Sequence, residues 1–276
     1  MTPELCVVVL SFRNEGTVLD ALASLAEQDE PLELVLSHSG GGPTPDLVRE
    51  RFPGVRIAAS EARRSPGAAR NAGIDCSQAP YVGFLAGDCR ARPGWAAGRL
   101  RRHRAGAEAV ATAMVPPRAT AAALASFLIQ HSYRMAHVPP PPALRFGASY
   151  SRPLLERVGP FREDIPGEED VELNERVIAA GVRIEWAPEV AVEHLYPEDA
   201  RSLLADGYRR GSMRRTVRGG RRRWPVLAAR ALLDGPAGIR HALRPGSALA
   251  RADVARVAPL VMLGAAAYSA GVLRRG

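Results

Sequence analysis

Four acidic or imidazole side chains stand where strands end or a helix begins, the positions from which side chains often take part in chemistry. Asp88 follows an apolar run in the stretch FLAGDCRARPGW. Glu169 and Asp170 precede a helical pattern, and His194 closes a short apolar alternation. Carboxylates and imidazoles bind cations and move protons. Taken singly, each residue also suits a turn, a helix N-terminus or a purely structural place. Their order along the chain has to decide between these places and a functional role.

The elements that must position these side chains alternate between strands and helices. The predicted strands of the first half are residues 5–12, 32–36, 55–59, 81–85 and 109–114. The predicted helices are residues 16–27, 46–52, 66–74 and 121–135. This alternation predicts a parallel sheet covered by helices on both faces, with ligands bound beyond the carboxyl ends of the strands. Asp88 follows such an end.

The second half of the chain has a weaker pattern. The run VPPPP at residues 138–142 predicts a stiff connector. Residues 171–178 have an apolar helical face that Gly181 ends. Short strands are predicted at residues 182–186 and 190–194, and arginine-rich helices follow Arg201. We therefore expect a domain boundary near residue 205.

The charge of the chain is divided unequally. The 276 residues carry 37 basic and 29 acidic side chains, with the apolar and charged fractions of an ordinary globular protein. From Arg201 onward there are sixteen arginines and only three acidic residues, whereas the preceding part is mildly acidic. This division predicts that the basic tail meets an anionic surface, or else forms a solvated charged face.

Cysteine usage and hydropathy predict a reduced, cytoplasmic setting. The three cysteines, Cys6, Cys76 and Cys89, have no metal-binding spacing and give no disulfide framework. No secretory signal pattern opens the chain. The longest uncharged run, residues 257–273, is at the lower limit of the length that spans a bilayer. We expect it to form a packed helix or one that lies on a membrane surface.

Four segments, in this order, resemble the inverting family 2 glycosyltransferases of GT-A fold. They are VVVLSFRNEGTVLDALASLAEQD, RSPGAARNAGI, YVGFLAGDCRARPGW and the stretch from RFGASYSRPLLERVG to EWAPEVAVEH. The resemblance covers residues 5–196. It implies an α/β fold with a mixed, mostly parallel sheet flanked by helices. The implied reaction transfers a sugar from a nucleotide-sugar donor to an acceptor hydroxyl with inversion, in cell-surface glycan or glycolipid synthesis.

The resemblance also implies a role for each matching residue. Asp170 would be the general base, with Glu169 beside it to tune its ionisation. Asp88 and His194 would bind a divalent cation, Mn²⁺ or Mg²⁺, that neutralises charge on the leaving diphosphate. The residues implied in nucleotide-sugar binding are Ser11, Glu15, Ser37, Arg70, Asn71 and Asp88.

Two places depart from the family pattern. Ala86 stands where the first aspartate of the Asp-x-Asp motif is usual, and Ser37 and His38 replace the aspartates that usually end the second strand. A hydroxyl forgoes the charge assistance of a carboxylate. The alternative function is therefore a non-catalytic GT-A module that binds a nucleotide, glycan or protein partner. Retention of Asp88, Asp170 and His194 favours an active enzyme.

The sequence predicts two domains and a short set of partners. Residues 1–205 would form the glycosyltransferase domain, with a nucleotide-sugar half at 1–115 and an acceptor half at 116–205. Residues 206–276 would form the basic helical tail. We expect a glycan or lipid-linked acceptor and peripheral attachment to the inner face of the cell membrane. No nucleic-acid partner is expected, because aromatic side chains do not interleave with the arginines of the tail.

Overall fold

The computed structural model describes residues 2–217 and 224–274. Part of the predicted basic tail, residues 218–223, lies outside them. The chain forms two compact units. The first comprises Met1–Ala113 and Pro140–Glu193, and the second comprises Met114–Pro139 and His194–Gly276. These bounds differ from the domain limits expected from the sequence, which remain a prediction.

Eight strands form a single sheet. They are β1 Leu5–Ser11, β2 Leu32–Ser39, β3 Arg56–Ser60, β4 Tyr81–Ala86, β5 Cys89–Ala91, β6 Ala109–Met114, β7 Ser149–Ser151 and β8 Ile184–His194. Their order across the sheet is β3-β2-β1-β4-β7-β6-β8-β5. Most β-branched and apolar residues of β1, β2 and β4 are buried, as expected for central strands of a sheet covered on both faces.

The sheet is mixed, and its first four strands are parallel. β1 pairs in parallel with β2 and β4, and β2 pairs in parallel with β3. β7 runs antiparallel to both β4 and β6. The predicted fold class, a mixed and mostly parallel sheet flanked by helices with a helical C-terminal segment, is confirmed.

Ten α-helices accompany the sheet in the described residues. They are α1 Glu15–Ala26, α2 Thr44–Arg51, α3 Pro66–Ile74, α4 Trp95–Arg104, α5 Ala121–Gln130, α6 Arg152–Val158, α7 Glu169–Ala179, α8 Ala200–Val217, α9 Trp224–Ala242 and α10 Arg251–Leu273. The helix expected over residues 121–135 ends at Gln130, and a 3₁₀ turn covers Ser132–Arg134. The two strands expected at 182–186 and 190–194 form the single strand β8.

A buried series of hydrogen bonds joins α4 to β7. The Arg99 guanidinium donates to Ser149 Oγ at 2.9 Å, and Ser149 Oγ lies 2.7 Å from His103 Nε2. His103 Nδ1 lies 2.6 Å from the Ala107 carbonyl, which can only accept, so Nδ1 carries the proton and the Ser149 hydroxyl donates to Nε2. Burial lowers the pKa of His103 to about 4, which keeps this neutral arrangement at physiological pH.

The second unit is helical and closely packed. A Cβ atom on Gly211 would lie 2.0 Å from the Tyr268 carbonyl oxygen, and one on Gly271 would lie 2.1 Å from that of Tyr208. The backbones of α8 and α10 therefore approach each other as only glycine permits. The described helices after Arg201 pack against one another rather than extending separately into solvent.

Candidate functional site

The strand register brings several predicted site residues to one edge of the sheet. Leu10 pairs with Ser37 on one side and with Ala86 on the other, and Ser11 pairs with His38. β1, β2 and β4 are parallel, so their carboxyl ends meet at this edge. Asp88 follows directly, in the turn between β4 and β5. The edge is therefore the candidate site of the first unit.

Gly87 fixes the turn that presents Asp88. Its N–H donates to the Leu10 carbonyl at 2.9 Å. A Cβ atom on Gly87 would lie 2.2 Å from Asn14 Nδ2 and 2.8 Å from the Leu10 oxygen, so no larger residue fits without a shift. Asp88 is half-buried, with the Cys89 thiol donating to its Oδ1 at 3.8 Å, whereas Ala86 is exposed. Asp88 thus holds one of the two places that the family pattern gives to carboxylates.

The ends of β1 and β2 are joined by an internal polar network. His38 Nε2 lies 2.8 Å from the Gly41 carbonyl and must carry a proton, since the carbonyl can only accept. His38 Nδ1 lies 2.9 Å from Ser11 Oγ, which also lies 2.7 Å from Asn14 Oδ1. Both Ser11 and His38 are buried. The imidazole thus points inward at the place where the family pattern has a carboxylate.

Asn14 is a site residue that the sequence did not predict. It is the N-cap of α1 but makes no side-chain cap hydrogen bond. Its Oδ1 instead accepts from Ser11 Oγ and from the Phe12 N–H at 3.2 Å. The signal that could have found it was a strand followed at once by Asn-Glu and a helix, which also fits an ordinary cap.

Ser37 and Glu15, two further residues predicted to bind the nucleotide sugar, differ in exposure. Ser37 is fully buried, and its hydroxyl donates to the Ala69 carbonyl of α3 at 2.6 Å. Glu15 is half-buried at the first position of α1, where the positive end of the helix dipole favours a carboxylate. The predicted contacts of both residues with a nucleotide sugar remain predictions.

The Arg70 side chain is enclosed by two aromatic rings and a carboxylate. Its guanidinium pairs with the Glu169 carboxylate, and the two side chains are 14% and 6% exposed. The same guanidinium lies over the rings of Phe84 and Phe161, at 5.6 and 5.3 Å from their centroids. The arginine predicted to contact a nucleotide diphosphate thus pairs with a predicted catalytic carboxylate from a distant part of the chain.

Asn71 binds the same distant segment. Its Nδ2 donates to the Phe161 carbonyl at 2.9 Å and to Glu163 Oε1 at 2.8 Å, and its Oδ1 accepts from the Phe161 N–H at 3.0 Å. Both hydrogen-bonding atoms of the amide are therefore in use within the chain. No local sequence signal indicates this pairing, because the partners are far apart along the chain.

Glu169 and Asp170 form the first turn of α7. Glu168 precedes them in the left-handed region at φ 64°. Burial raises the pKa of Glu169, the Arg70 guanidinium opposes that rise, and Asp170 adds to it. Asp170 is half-buried, and its Oδ1 accepts from the Val171 N–H at 3.0 Å.

His194 ends β8 and is the first residue of the second unit in that part of the chain. Its ring lies 4.5 Å from that of Tyr196 and 5.2 Å from that of His131. The Tyr196 hydroxyl lies 2.7 Å from His131 Nδ1, and burial lowers the pKa of His131. Because Asp88 belongs to the first unit, the predicted joint role of Asp88 and His194 in binding a metal remains a prediction.

Comparison with known sequences agrees with the resemblance. Residues 6–124 match the model of glycosyl transferase family 2. The succinoglycan biosynthesis protein ExoO of Rhizobium meliloti (strain 1021) is 34% identical over 103 residues. That match covers 36% of this chain and 28% of ExoO, so the chain matches little more than a quarter of the relative's length.

Comparison with solved structures agrees with the fold. The mannosyltransferase PcManGT from Pyrobaculum calidifontis, solved with GDP-Man and Mn²⁺, has a TM-score of 0.63 at 22% identity, and the match covers 99% of this chain and 87% of PcManGT. S. aureus TarS 1–349, solved with UDP-GlcNAc, has a TM-score of 0.54 at 16% identity, and the match covers 94% and 71%. The predicted GT-A fold is confirmed.

The tight approach at Gly87 generates a stability prediction. Gly87→Ala should lower the free energy of unfolding by about 1 to 3 kcal/mol, because the new methyl group has to displace Asn14 or the Leu10 carbonyl. Gly16→Ala is the matched control: no atom lies within 4 Å of the position of its added methyl group, and alanine is favoured in a helix by roughly 0.5 to 1 kcal/mol. Urea unfolding measures both variants, and equal stability of the two would contradict the packing at this turn.

Proposed function

We propose that the chain is an inverting glycosyltransferase, because residues 6–124 match the model of glycosyl transferase family 2. It transfers a hexose-type sugar from a nucleotide-sugar donor to an acceptor hydroxyl. The observation that carries the proposal is the strand edge, where the ends of β1, β2 and β4 converge next to the Asp88 turn within the matched segment. Ligands of open α/β sheets bind at such edges.

The donor lies along this edge in the proposal. Glu15 and Asp88 are half-buried acidic groups that follow β1 and β4, and Ser11 ends the central strand. Ser37 acts through α3, since its hydroxyl is bound to Ala69. PcManGT and TarS, which share the fold, were solved with GDP-Man and UDP-GlcNAc respectively. A nucleoside diphosphate sugar is therefore the donor class that we propose.

Asp88 and His194 are the residues proposed to hold a divalent cation. A carboxylate oxygen suits Mg²⁺ and Mn²⁺, and an imidazole nitrogen suits Mn²⁺ better than Mg²⁺. PcManGT was solved with Mn²⁺. When bound, such an ion would neutralise the charge that develops on the departing diphosphate. The half-buried carboxylate in a turn that Gly87 fixes fits this requirement.

Asp170 is the proposed general base. It accepts the proton of the acceptor hydroxyl while the oxygen attacks the anomeric carbon on the face opposite the leaving group. The bond from that carbon to the diphosphate oxygen breaks, and its electron pair leaves with the nucleoside diphosphate. Inversion follows from the single displacement. Glu169 pairs with Arg70 and is buried, which leaves the more exposed Asp170 as the carboxylate accessible to an acceptor.

The acceptor in this proposal is a glycan or lipid-linked intermediate of cell-surface polymer synthesis. The partial relative ExoO is named a succinoglycan biosynthesis protein, and a glycan acceptor accords with that name. A lipid-linked acceptor lies in a membrane. An enzyme that uses one gains from a surface that adsorbs to lipid.

The second unit has a surface suited to the cytoplasmic face of a membrane. From Pro259 onward the exposed positions of α10 are apolar at helical spacing: they are Pro259, Met262, Leu263, Ala266, Ala270 and Leu273. Among the described residues, α10 is the one helix long and apolar enough to cross a bilayer, and 39% of its most apolar stretch is buried. A helix that packs by one face and exposes an apolar opposite face is suited to lie in the interface.

Charge beside this apolar surface favours anionic lipid. A groove between α9 and α10 is lined by Pro236, Ile239, Leu243 and Met262, with Arg240 and Arg244 at its rim. A basic residue near an anionic leaflet contributes on the order of 1 kcal/mol to binding. We therefore propose that the protein is cytoplasmic and binds peripherally to the inner face of the cell membrane.

The donor site generates a binding prediction. We expect one of the nucleotides UDP, GDP and dTDP, tested with Mn²⁺ or Mg²⁺, to raise the melting temperature of the wild type. A ligand at a hundred times its Kd stabilises a folded protein by roughly 2.7 kcal/mol. Asp88→Asn should abolish the metal-dependent part of the shift. Asp20→Asn is the control, since Asp20 is an exposed carboxylate paired with Arg90. A shift that Asp88→Asn leaves unchanged would remove Asp88 from the site.

The apolar surface generates a membrane prediction. Leu233 and Leu263 are 65% and 55% exposed, and burying a leucine stabilises by roughly 1.5 to 3 kcal/mol. The double variant Leu233→Glu/Leu263→Glu should bind vesicles of phosphatidylglycerol at least tenfold more weakly in flotation. Ile178→Glu, an exposed apolar residue of the first unit, should bind as the wild type does. Equal binding by the wild type, the double variant and Ile178→Glu would reject this surface as the membrane-binding site. Binding that salt does not weaken would reject it as well.

A further inference from the structure

We propose that Arg70, Asn71 and Glu169 form a clamp that positions Asp170, in place of the nucleotide contacts that the resemblance implies for Arg70 and Asn71. The clamp joins α3 to the segment that leads into α7. This inference rests on the proposed function, because it assigns Asp170 as the base. It concerns residues that act through Asp170 and not on the substrate.

The surroundings of Arg70 leave its guanidinium little freedom. Phe84 and Phe161 lie against it, and these two rings also meet edge to face at 5.3 Å. The Glu169 carboxylate completes the enclosure, and both charged side chains are mostly buried. A diphosphate that drew this guanidinium away from Glu169 would leave a buried carboxylate without its partner. Leaving one member of a buried pair without its partner is strongly destabilising.

The next residue and the start of α3 strengthen the same junction. Asn71 donates to the Phe161 carbonyl and accepts from the Phe161 N–H, so one side chain fixes that backbone in both directions. A Cβ atom on Gly67 would lie 2.0 Å from the Arg162 carbonyl oxygen, so α3 and this segment are in direct backbone contact. These contacts of the RSPGAARN stretch with residues 161–169 thus fix the approach to α7.

The clamp determines both the place and the charge environment of Asp170. Asp170 follows Glu169 in the first helical turn, so holding Glu169 orients its neighbour. Arg70 also compensates the charge of Glu169, the residue directly before Asp170.

Other charged or titratable groups lie on neighbouring elements. Tyr150 of β7 interacts with the charges of Asp170 and Arg70, and also with those of Arg99 of α4 and Arg176 of α7. Each has a partner of its own: Tyr150 donates to Asn174, Arg99 donates to Ser149, and Arg176 pairs with Glu172. The charge of Glu169 is therefore compensated at closest range by Arg70.

The test compares Arg70→Gln, Glu169→Gln and the double variant. Each single variant should lower kcat at least tenfold while leaving the Kd of the nucleoside diphosphate within twofold of the wild type. Arg70→Lys, which keeps the positive charge, should recover part of the lost kcat. The double variant should lose no more kcat than the worse single variant, because both residues act through the one pair.

A purely structural role would lower stability without separating kcat from the nucleotide Kd. Arg152→Gln is the matched control, because Arg152 donates to two backbone carbonyls of the first unit and lies outside the clamp. It should lower stability without a tenfold loss of kcat. A tenfold loss of nucleotide affinity in Arg70→Gln but not in Glu169→Gln would make Arg70 a donor ligand and overturn the clamp alone. Fully additive losses of kcat in the double variant would overturn it as well. A wild type that turns over no donor would overturn the proposed function and, with it, the positioning role.

Discussion

The parallel register of β1, β2 and β4 is the constraint on which the candidate site depends. Side chains alternate between the two faces of a strand, so a slip of one residue would reverse the orientation of every side chain at the ends of these strands. The register sets Ser11 beside His38 and Leu10 beside Ala86. It also brings the Leu10 carbonyl to the Gly87 N–H, which fixes the turn before Asp88. Apolar burial of the central strands thus determines where Asp88 lies at this edge.

The junction between α3 and α7 connects this edge to the carboxylates proposed for chemistry. Its members come from distant parts of the chain, and they meet through one buried ion pair and one two-way amide contact. The replaced aspartates of the family pattern do not lie at this junction. Ser37 and His38 are instead absorbed into internal hydrogen bonds to Ala69, Ser11 and Gly41. Ser37 and His38 thus serve the fold at this edge, whereas the junction holds the segment that leads to Asp170.

The sequence predicted the regular elements well, because apolar periodicity and helix stops are local signals. It placed β1 to β4 and α1 to α3 close to their observed bounds. It predicted two short strands where β8 continues through Pro188, although proline is unusual within a strand, and it contains no clear signal for the three-residue strands β5 and β7. The pairing of Arg70 with Glu169 and the inward direction of His38 depend on tertiary contacts, which no local pattern contains. Each unit also comprises two separate chain segments, so the bounds of the units do not coincide with the change in composition near residue 205.

In the proposed reaction, Asp170 takes a proton from an acceptor hydroxyl while a sugar leaves a nucleoside diphosphate. The most direct measurement is release of nucleoside diphosphate together with labelled sugar transfer to a membrane lipid extract, compared between the wild type and Asp170→Asn at equal donor saturation. We predict that Asp170→Asn loses transfer by roughly 10²- to 10⁴-fold and keeps the donor Kd within twofold. Equal transfer by the two proteins would contradict the assignment of Asp170. Donor binding without transfer by the wild type would favour a binding module over an enzyme.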